Sequence, residues 1–143
     1  MEVQLFSIEN EQAVITLWQK CGFVQPWNNP HLDIQRKLKV SPELFLVGTM
    51  GVKIIATAMG GYEGHRGWVN YLAVDPAFRK KGFGRQLMAE IEKRLLALGC
   101  PKINLQVRMD NTSALEFYSQ IGYKDDNVVS LGKRLIVDSE KHE

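Results

Sequence analysis

Apolar residues recur along this chain with two different periods, and the switches between them mark out its elements. Val3 and Leu5, separated by Gln4, begin a short strand. Val14, Leu17, Trp18 and Cys21 fall at i, i+3, i+4 and i+7, which predicts one buried helical face, capped by Asn10 and stopped by Gly22. Pro26 to Pro30 reads as a loop, and His31 to Val40 as a second helix with Ile34 and Leu38 inward. Leu44–Met50 and Lys53–Gly60 are near-continuous apolar runs joined at Gly51, the pattern of a hairpin of buried strands. Trp68–Val74 is the next strand, closed by Asp75-Pro76. A long helix follows over Phe83–Leu98, with Leu87, Ile91, Leu95 and Leu98 on its buried face and Gly99 at its end. Ile103, Leu105 and Val107 alternate as a strand. Asn111 then opens a helix facing inward by Ala114, Phe117, Tyr118 and Ile121, and Val128–Ile136 is expected to supply a last strand.

The order is β-α-α-β-β-β-α-β-α-β. Strand, crossover helix and strand between Trp68 and Val107 imply a parallel pair, whereas the hairpins before it imply antiparallel neighbours. The expectation is therefore an α/β (α+β) fold built on a mixed sheet. With 143 residues, the chain is expected to form a single domain, residues 1–143, whose polar end, 138–143, frays.

Composition narrows the function classes. A chain that is 45% hydrophobic and 24% charged can bury a core and is not expected to be disordered. Eighteen basic against sixteen acidic side chains leave +2, too little to point to nucleic acid, so no nucleic-acid partner is expected. Cys21 and Cys100 are far apart and form no CxxC, so reduced thiols and no metal site are expected. The longest apolar runs fall well short of the ~20 residues of a membrane span. The opening residues also lack the basic and apolar regions of a secretory signal. A cytoplasmic protein with no membrane partner is expected.

The most informative segment follows the strand at Val74. It reads Arg79-Lys80-Lys81-Gly82-Phe83-Gly84-Arg85, and a helix begins within it. A helix start offers unpaired N–H groups and the positive end of the helix dipole. Two glycines let the backbone approach a ligand, and four cations surround them. Together these point to a polyanion, most simply a pyrophosphate. GxxxxGK[ST] is absent, and Leu87 stands where a dinucleotide fingerprint needs its third glycine.

This segment resembles the R/Q-x-x-G-x-G/A signature of the GNAT acyl-CoA-dependent N-acetyltransferases. A second segment of that family is matched by Asn111-Thr112-Ser113-Ala114-Leu115-Glu116-Phe117-Tyr118 with Ile121-Gly122-Tyr123. Pro26-Trp27-Asn28, Met59 to Gly67, Gly99 to Ile103 and Ser130 to Leu135 are similar to bacterial members of the YpeA type. The resemblance implies a GNAT fold, in which a mostly antiparallel mixed sheet has helices on both faces. Its central parallel pair is splayed to admit acyl-CoA.

It also implies roles. Arg79, Lys80, Lys81, Gly82, Phe83, Gly84 and Arg85 would hold the pyrophosphate of acetyl-CoA, the co-substrate. The edge at Leu72, Ala73 and Val74 would pair with the pantetheine arm, with a bulge opening the slot and an N–H near Leu72 polarising the thioester. Asn111 and Ala114 would border the arm, and Tyr118 would protonate the departing thiolate. Acyl transfer to an amine needs a proton removed from the ammonium, since its reference pKa is near ~10.4. Glu63, at the glycine-flanked end of the third strand, is the first candidate base, and His65 the second. His31 and Asp33 are read as pocket-lining or capping groups. In members resembling the ribosomal-protein acetylators a Glu precedes the Asn in an L-E-V-R strand. Here the strand reads Leu105-Gln106-Val107-Arg108, and Gln106 cannot be a carboxylate base.

The implied function is transfer of an acetyl group to a primary amine of a small molecule or peptide. The alternative is a non-catalytic acyl-CoA-binding sensor or interaction module. A homodimer paired along the last strand is left open.

Overall fold

Phe45–Met50 (β2) and Lys53–Tyr62 (β3) are the two apolar runs that meet at Gly51, and they pair antiparallel from Phe45 opposite Met59 to Met50 opposite Lys53. Both faces of these strands are covered, which is why neither run shows a polar side. Glu2–Leu5 (β1) pairs antiparallel with the outer edge of β2, and Gly67–Val74 (β4) antiparallel with β3. The chain then crosses over through Phe83–Ala97 (α3) and returns as Ile103–Asn104 (β5), parallel to β4. The sheet order is β1-β2-β3-β4-β5. Three more helices complete the computed structural model, which describes residues 1–138: Glu11–Lys20 (α1), Pro30–Leu38 (α2) and Thr112–Gln120 (α4).

The period-two alternation of the strands divides the core in two. On one face Val14, Leu17 and Trp18 of α1 and Ile34 of α2 pack on Phe45, Val47, Met59 and Ala73. On the other, Leu87, Met88, Ile91 and Leu95 of α3 pack on Leu46, Ile55, Ala58 and Val69, with Phe117 and Tyr118 of α4 at the margin. Helices thus cover both faces, as expected. Pro30 at the first turn of α2 and Asn29, whose side chain accepts from Leu32 N at 3.2 Å, fix where that helix starts.

Three differences from the sequence reading matter. Val128–Ile136 forms no strand among the described residues, and Val128, Val129, Leu131 and Leu135 are 76–89% exposed. The apolar positions there are interrupted by Gly132-Lys133-Arg134, so they never make the continuous face that a strand buries. The parallel pair consequently stands at the end of the strand order rather than inside it. Asp138, grouped above with a frayed tail, has a side chain only 1% exposed. It accepts two hydrogen bonds from Arg36, at 2.8 and 3.2 Å, and pairs with Arg134 at 2.7 Å. The remainder of that tail, 139–143, lies outside the described residues.

Candidate active site

The site is organised by an irregularity in β4. Ala73 lies opposite Thr57 and Asn70 opposite Met59, so Tyr71 and Leu72 together face the single residue Ala58. Tyr71 takes φ 52, a left-handed conformation that a bulky residue rarely adopts. Its surroundings hold it there. The ring stacks on Trp18 with centroids 3.8 Å apart and 14° between planes. The hydroxyl donates to Asp33 Oδ2 at 2.6 Å and accepts from Asn28 Nδ2 at 2.9 Å. The Tyr71 carbonyl accepts from Thr57 Oγ1 at 2.8 Å, and that oxygen accepts from Trp18 Nε1 at 2.9 Å. Burial, followed by the Asp33 bond, pushes the Tyr71 phenol well above its ordinary range, so it stays protonated.

The bulge has a consequence for the neighbouring strand. Among the described residues β4 and β5 pair only at Gly67–Ile103 and Trp68–Asn104. Beyond Trp68 the two strands part, and Leu72, Ala73 and Val74 have no strand beside them on that edge. The splaying of the parallel pair is as the sequence reading expects.

At the end of β4, Asp75 caps the short turn Pro76–Phe78 by accepting from Ala77 N at 3.0 Å. That bond, burial opposing it, holds its carboxyl below the usual range, with Lys20 at 3.2 Å assisting. Arg79 then folds back: its Nε donates to Val74 O at 3.1 Å and its Nη2 lies 3.6 Å from Cys21 Sγ. Its guanidinium therefore braces the strand end. Lys80, Lys81 and Arg85 are exposed. Lys80 (φ 63) and Gly82 (φ 84) both adopt left-handed backbone, and α3 starts at Phe83 with no side chain capping it. A Cβ on Gly82 would meet nothing within 4 Å, whereas one on Gly84 would lie 3.2 Å from the Phe117 ring. Gly82 is thus the open side of the turn, and Gly84 is where α4 packs against the first turn of α3.

Asn111 is the N-cap of α4, its Oδ1 accepting from Ala114 N at 3.2 Å. Tyr118 is packed edge-on to Tyr123 with centroids 5.7 Å apart. Burial alone pushes its phenol up to about 12. Among the described residues its hydroxyl has no hydrogen-bond partner. Ala114, half-buried, lies one turn earlier on the same helix.

Glu63 belongs to a different place. At the exposed tip of the β3–β4 hairpin its Oε1 accepts from Arg66 N at 2.8 Å and from His65 N. These two backbone donors hold its carboxyl below the usual range. Its geometry is that of a turn-closing residue, and His65 sits on the same tip. His31 Nδ1 is bonded to Glu11 Oε1, tying α2 to α1. Asp33 lies inside the fold's cleft, on Tyr71. Gln106 bonds Ser130, and Arg108 sits 5.5 Å above the ring of the exposed Trp27.

The residues that sequence reasoning missed are Tyr71, Asn28 and Lys37. A tyrosine inside an apolar strand carries no sign that its backbone is left-handed. Lys37 reads as a solvated helix end, yet it is half-buried and its Nζ donates to Gly60 O.

The parts brought together suit an extended ligand with an anionic end. The open N-terminus of α3, three exposed cations and the outward side of Gly82 fit a diphosphate. The partnerless β4 edge fits a chain with amide groups, and Tyr118 flanks the same core as Leu72 and Val74. Among the described residues no three His, Cys, Asp or Glu side chains cluster as metal ligands would, and no helix is long and apolar enough to cross a membrane.

The family model described as "Acetyltransferase (GNAT) family" matches residues 12–123. An acetyltransferase of Yersinia enterocolitica is 46% identical over 140 residues, covering 98% of this chain and 99% of that one. The PaiA N-acetyltransferase of Thermoplasma acidophilum, solved in complex with coenzyme A, superimposes with a TM-score of 0.70 at 20% identity, covering 90% of this chain and 92% of that one. An aminoglycoside 6'-N-acetyltransferase from Acinetobacter haemolyticus gives a TM-score of 0.72 at 16% identity, covering 95% and 100%. At those identities the two solved structures speak for the fold.

Proposed function

The chain belongs to the GNAT acetyltransferase family and is an acyltransferase, and on that premise we propose that it transfers the acetyl group of acetyl-CoA to a primary amine of a small molecule or peptide. The observation that carries this reading is the parting of β4 from β5 beyond Trp68, which leaves a strand edge running to the open start of α3. The coenzyme A complex of the Thermoplasma acidophilum protein, which shares the fold, supports acetyl-CoA as the co-substrate.

Bound acetyl-CoA supplies the acetyl thioester, and the chain's own residues do the rest. The N–H groups of Gly82 to Arg85 hold the diphosphate, with Lys80, Lys81 and Arg85 adding charge around it. Arg79 keeps the turn attached to the end of β4. Leu72, Ala73 and Val74 present main-chain donors and acceptors to the pantetheine arm, and a Leu72 N–H near the bulge polarises the thioester carbonyl. Asn111 and Ala114 border the arm.

Tyr118 presents its hydroxyl to the sulfur. With its phenol at about 12, it is a weaker acid than an ordinary thiol near ~8.5. It therefore steadies the leaving sulfur by donating a hydrogen bond, and full surrender of the proton is uphill. Glu63 is poorly suited as the base, because its carboxylate is engaged by the turn and its proton affinity is lowered. The ammonium instead releases its proton to solvent, through the open cleft beside Tyr71.

A direct test is calorimetric titration with acetyl-CoA and CoA, followed by thiol release over a panel of polyamines, amino acids, peptides and aminoglycosides. Saturable binding of both thioester and free CoA, with thiol release on at least one amine, is expected. Equal binding of adenine nucleotides that lack pantetheine would overturn the placement along β4. Tight CoA binding with no thiol release on any amine would favour the sensor reading.

A further inference from the structure

A cavity of about 430 Å³ opens beside the β4 bulge, between α2 and the sheet, with Asp33, Arg36, Lys37, Met59, Asn70 and Tyr71 among its walls. It touches the bulge residue itself, so an acceptor reaching the proposed reaction centre from this side passes through it. Its charges are unequally matched. Arg36 is held bidentately by Asp138 and lies 3.5 Å from Asp33. Arg134 completes the group by pairing with Asp138 at 2.7 Å. Two carboxylates and two guanidiniums therefore neutralise one another, and Asp33 also accepts from Tyr71.

Lys37 is left over. Its ammonium donates to Gly60 O, and among the described residues no carboxylate lies within 4 Å of it. Burial lowers its pKa, with more distant Glu43 opposing. An ammonium has three donors, and a neutral carbonyl answers only one of them. Gly60 lies opposite Val69 and Met59 opposite Asn70, so this cation sits within a few residues of the bulge.

We propose that this cavity selects acceptor amines that also carry a carboxylate, with Lys37 as the specificity-determining anchor for that carboxylate. The inference rests on the acetyltransferase reading above and narrows its acceptor. A carboxylate seated on Lys37 supplies the missing counter-charge in a partly desolvated place, where a charge-assisted hydrogen bond is strong. A polycation gains no such partner and meets the unmatched positive charge of Lys37. Free amino acids and short peptides share the required chemistry.

The test uses the full-length protein saturated with CoA, a state that binds an acceptor without turnover. Titration calorimetry compares common amino acids and dipeptides with their carboxamides, and with spermidine. The expected result is at least one acid binding about tenfold more tightly than its amide. The amino-acid and dipeptide arms tell the two sources apart. Lys37→Gln should close the gap while leaving CoA affinity intact, which also shows that the variant is folded, and Lys37→Arg should keep it. Spermidine or the amides binding as tightly as the acids, no acid binding at all, or a gap that survives in Lys37→Gln would overturn the proposal. Titration with CoA alone separates the two levels. Loss there sinks the acetyltransferase reading, whereas CoA binding together with a preference for uncharged or cationic acceptors sinks only this inference.

Discussion

Tyr71 and Tyr118 belong to the cores on opposite faces of the same sheet, and they use their hydroxyls in opposite ways. Tyr71 is saturated: it donates to Asp33, accepts from Asn28 and lies flat on Trp18. Tyr118 is packed by rings, and its hydroxyl has no partner among the described residues. Both phenols are pushed upward, so a raised pKa alone does not distinguish them. The difference in partners does. A hydroxyl with every bond made is part of the architecture, whereas one that has no partner and still reaches solvent is available for chemistry.

The comparison can be broken most decisively at the turn that would bring a ligand to Tyr118. Gly82→Asp puts a side chain on a backbone at φ 84 and a negative charge at the start of α3. The expected loss of CoA affinity is about a hundredfold or more, measured by calorimetry. Unchanged affinity would remove the ligand from Tyr118's side of the sheet. Next, Tyr71→Phe removes two hydrogen bonds and leaves Asp33 short of a partner. It should lower stability by about 1–3 kcal/mol, seen as a melting shift of several degrees, while CoA still binds.

Tyr118→Phe should show the converse. Stability should change by less than about 0.5 kcal/mol, and turnover should fall by about tenfold or less, because a thiolate leaves tolerably unaided. A Tyr118→Phe variant that melts early but turns over normally would reverse the assignment of the two tyrosines. The smallest effect is expected at Glu63→Gln, since the amide oxygen can still accept from Arg66 and His65. Turnover should stay within about twofold. Because the Glu63 carboxyl is held below its ordinary value, its contribution to the turn is complete above pH ~4.3 and fades only as pH falls through the lowered value. The Gln variant should therefore lose that fraction of the acid dependence in a pH-resolved melt.

The same distinction explains what could be read from the chain. The helices of Val14–Cys21, Phe83–Leu98 and Asn111–Ile121, and the hairpin about Gly51, were legible because period and punctuation agree there. The turn at Gly82 was legible because glycine, cation and helix start coincide. Glu63 reads as a base from its place beside glycines, but a carboxylate's availability depends on which N–H groups reach it. In this hairpin those belong to residues two and three positions on. The clamp between Arg36 and Asp138 spans most of the chain, and no local pattern announces it. Val128–Ile136 has strand-forming residues, yet propensity for a pleated surface is realised only against a partner face.

The gap between β4 and β5 carries one more implication. Whatever lies along residues 69–74 is greeted by peptide groups, which every amino acid supplies alike. The side chains that hold the bend, Tyr71 above all, matter to such a grip only through the backbone they shape. On the proposed reading, a grip of that kind leaves selectivity for the second reactant to the side chains that line the cavity beside Tyr71.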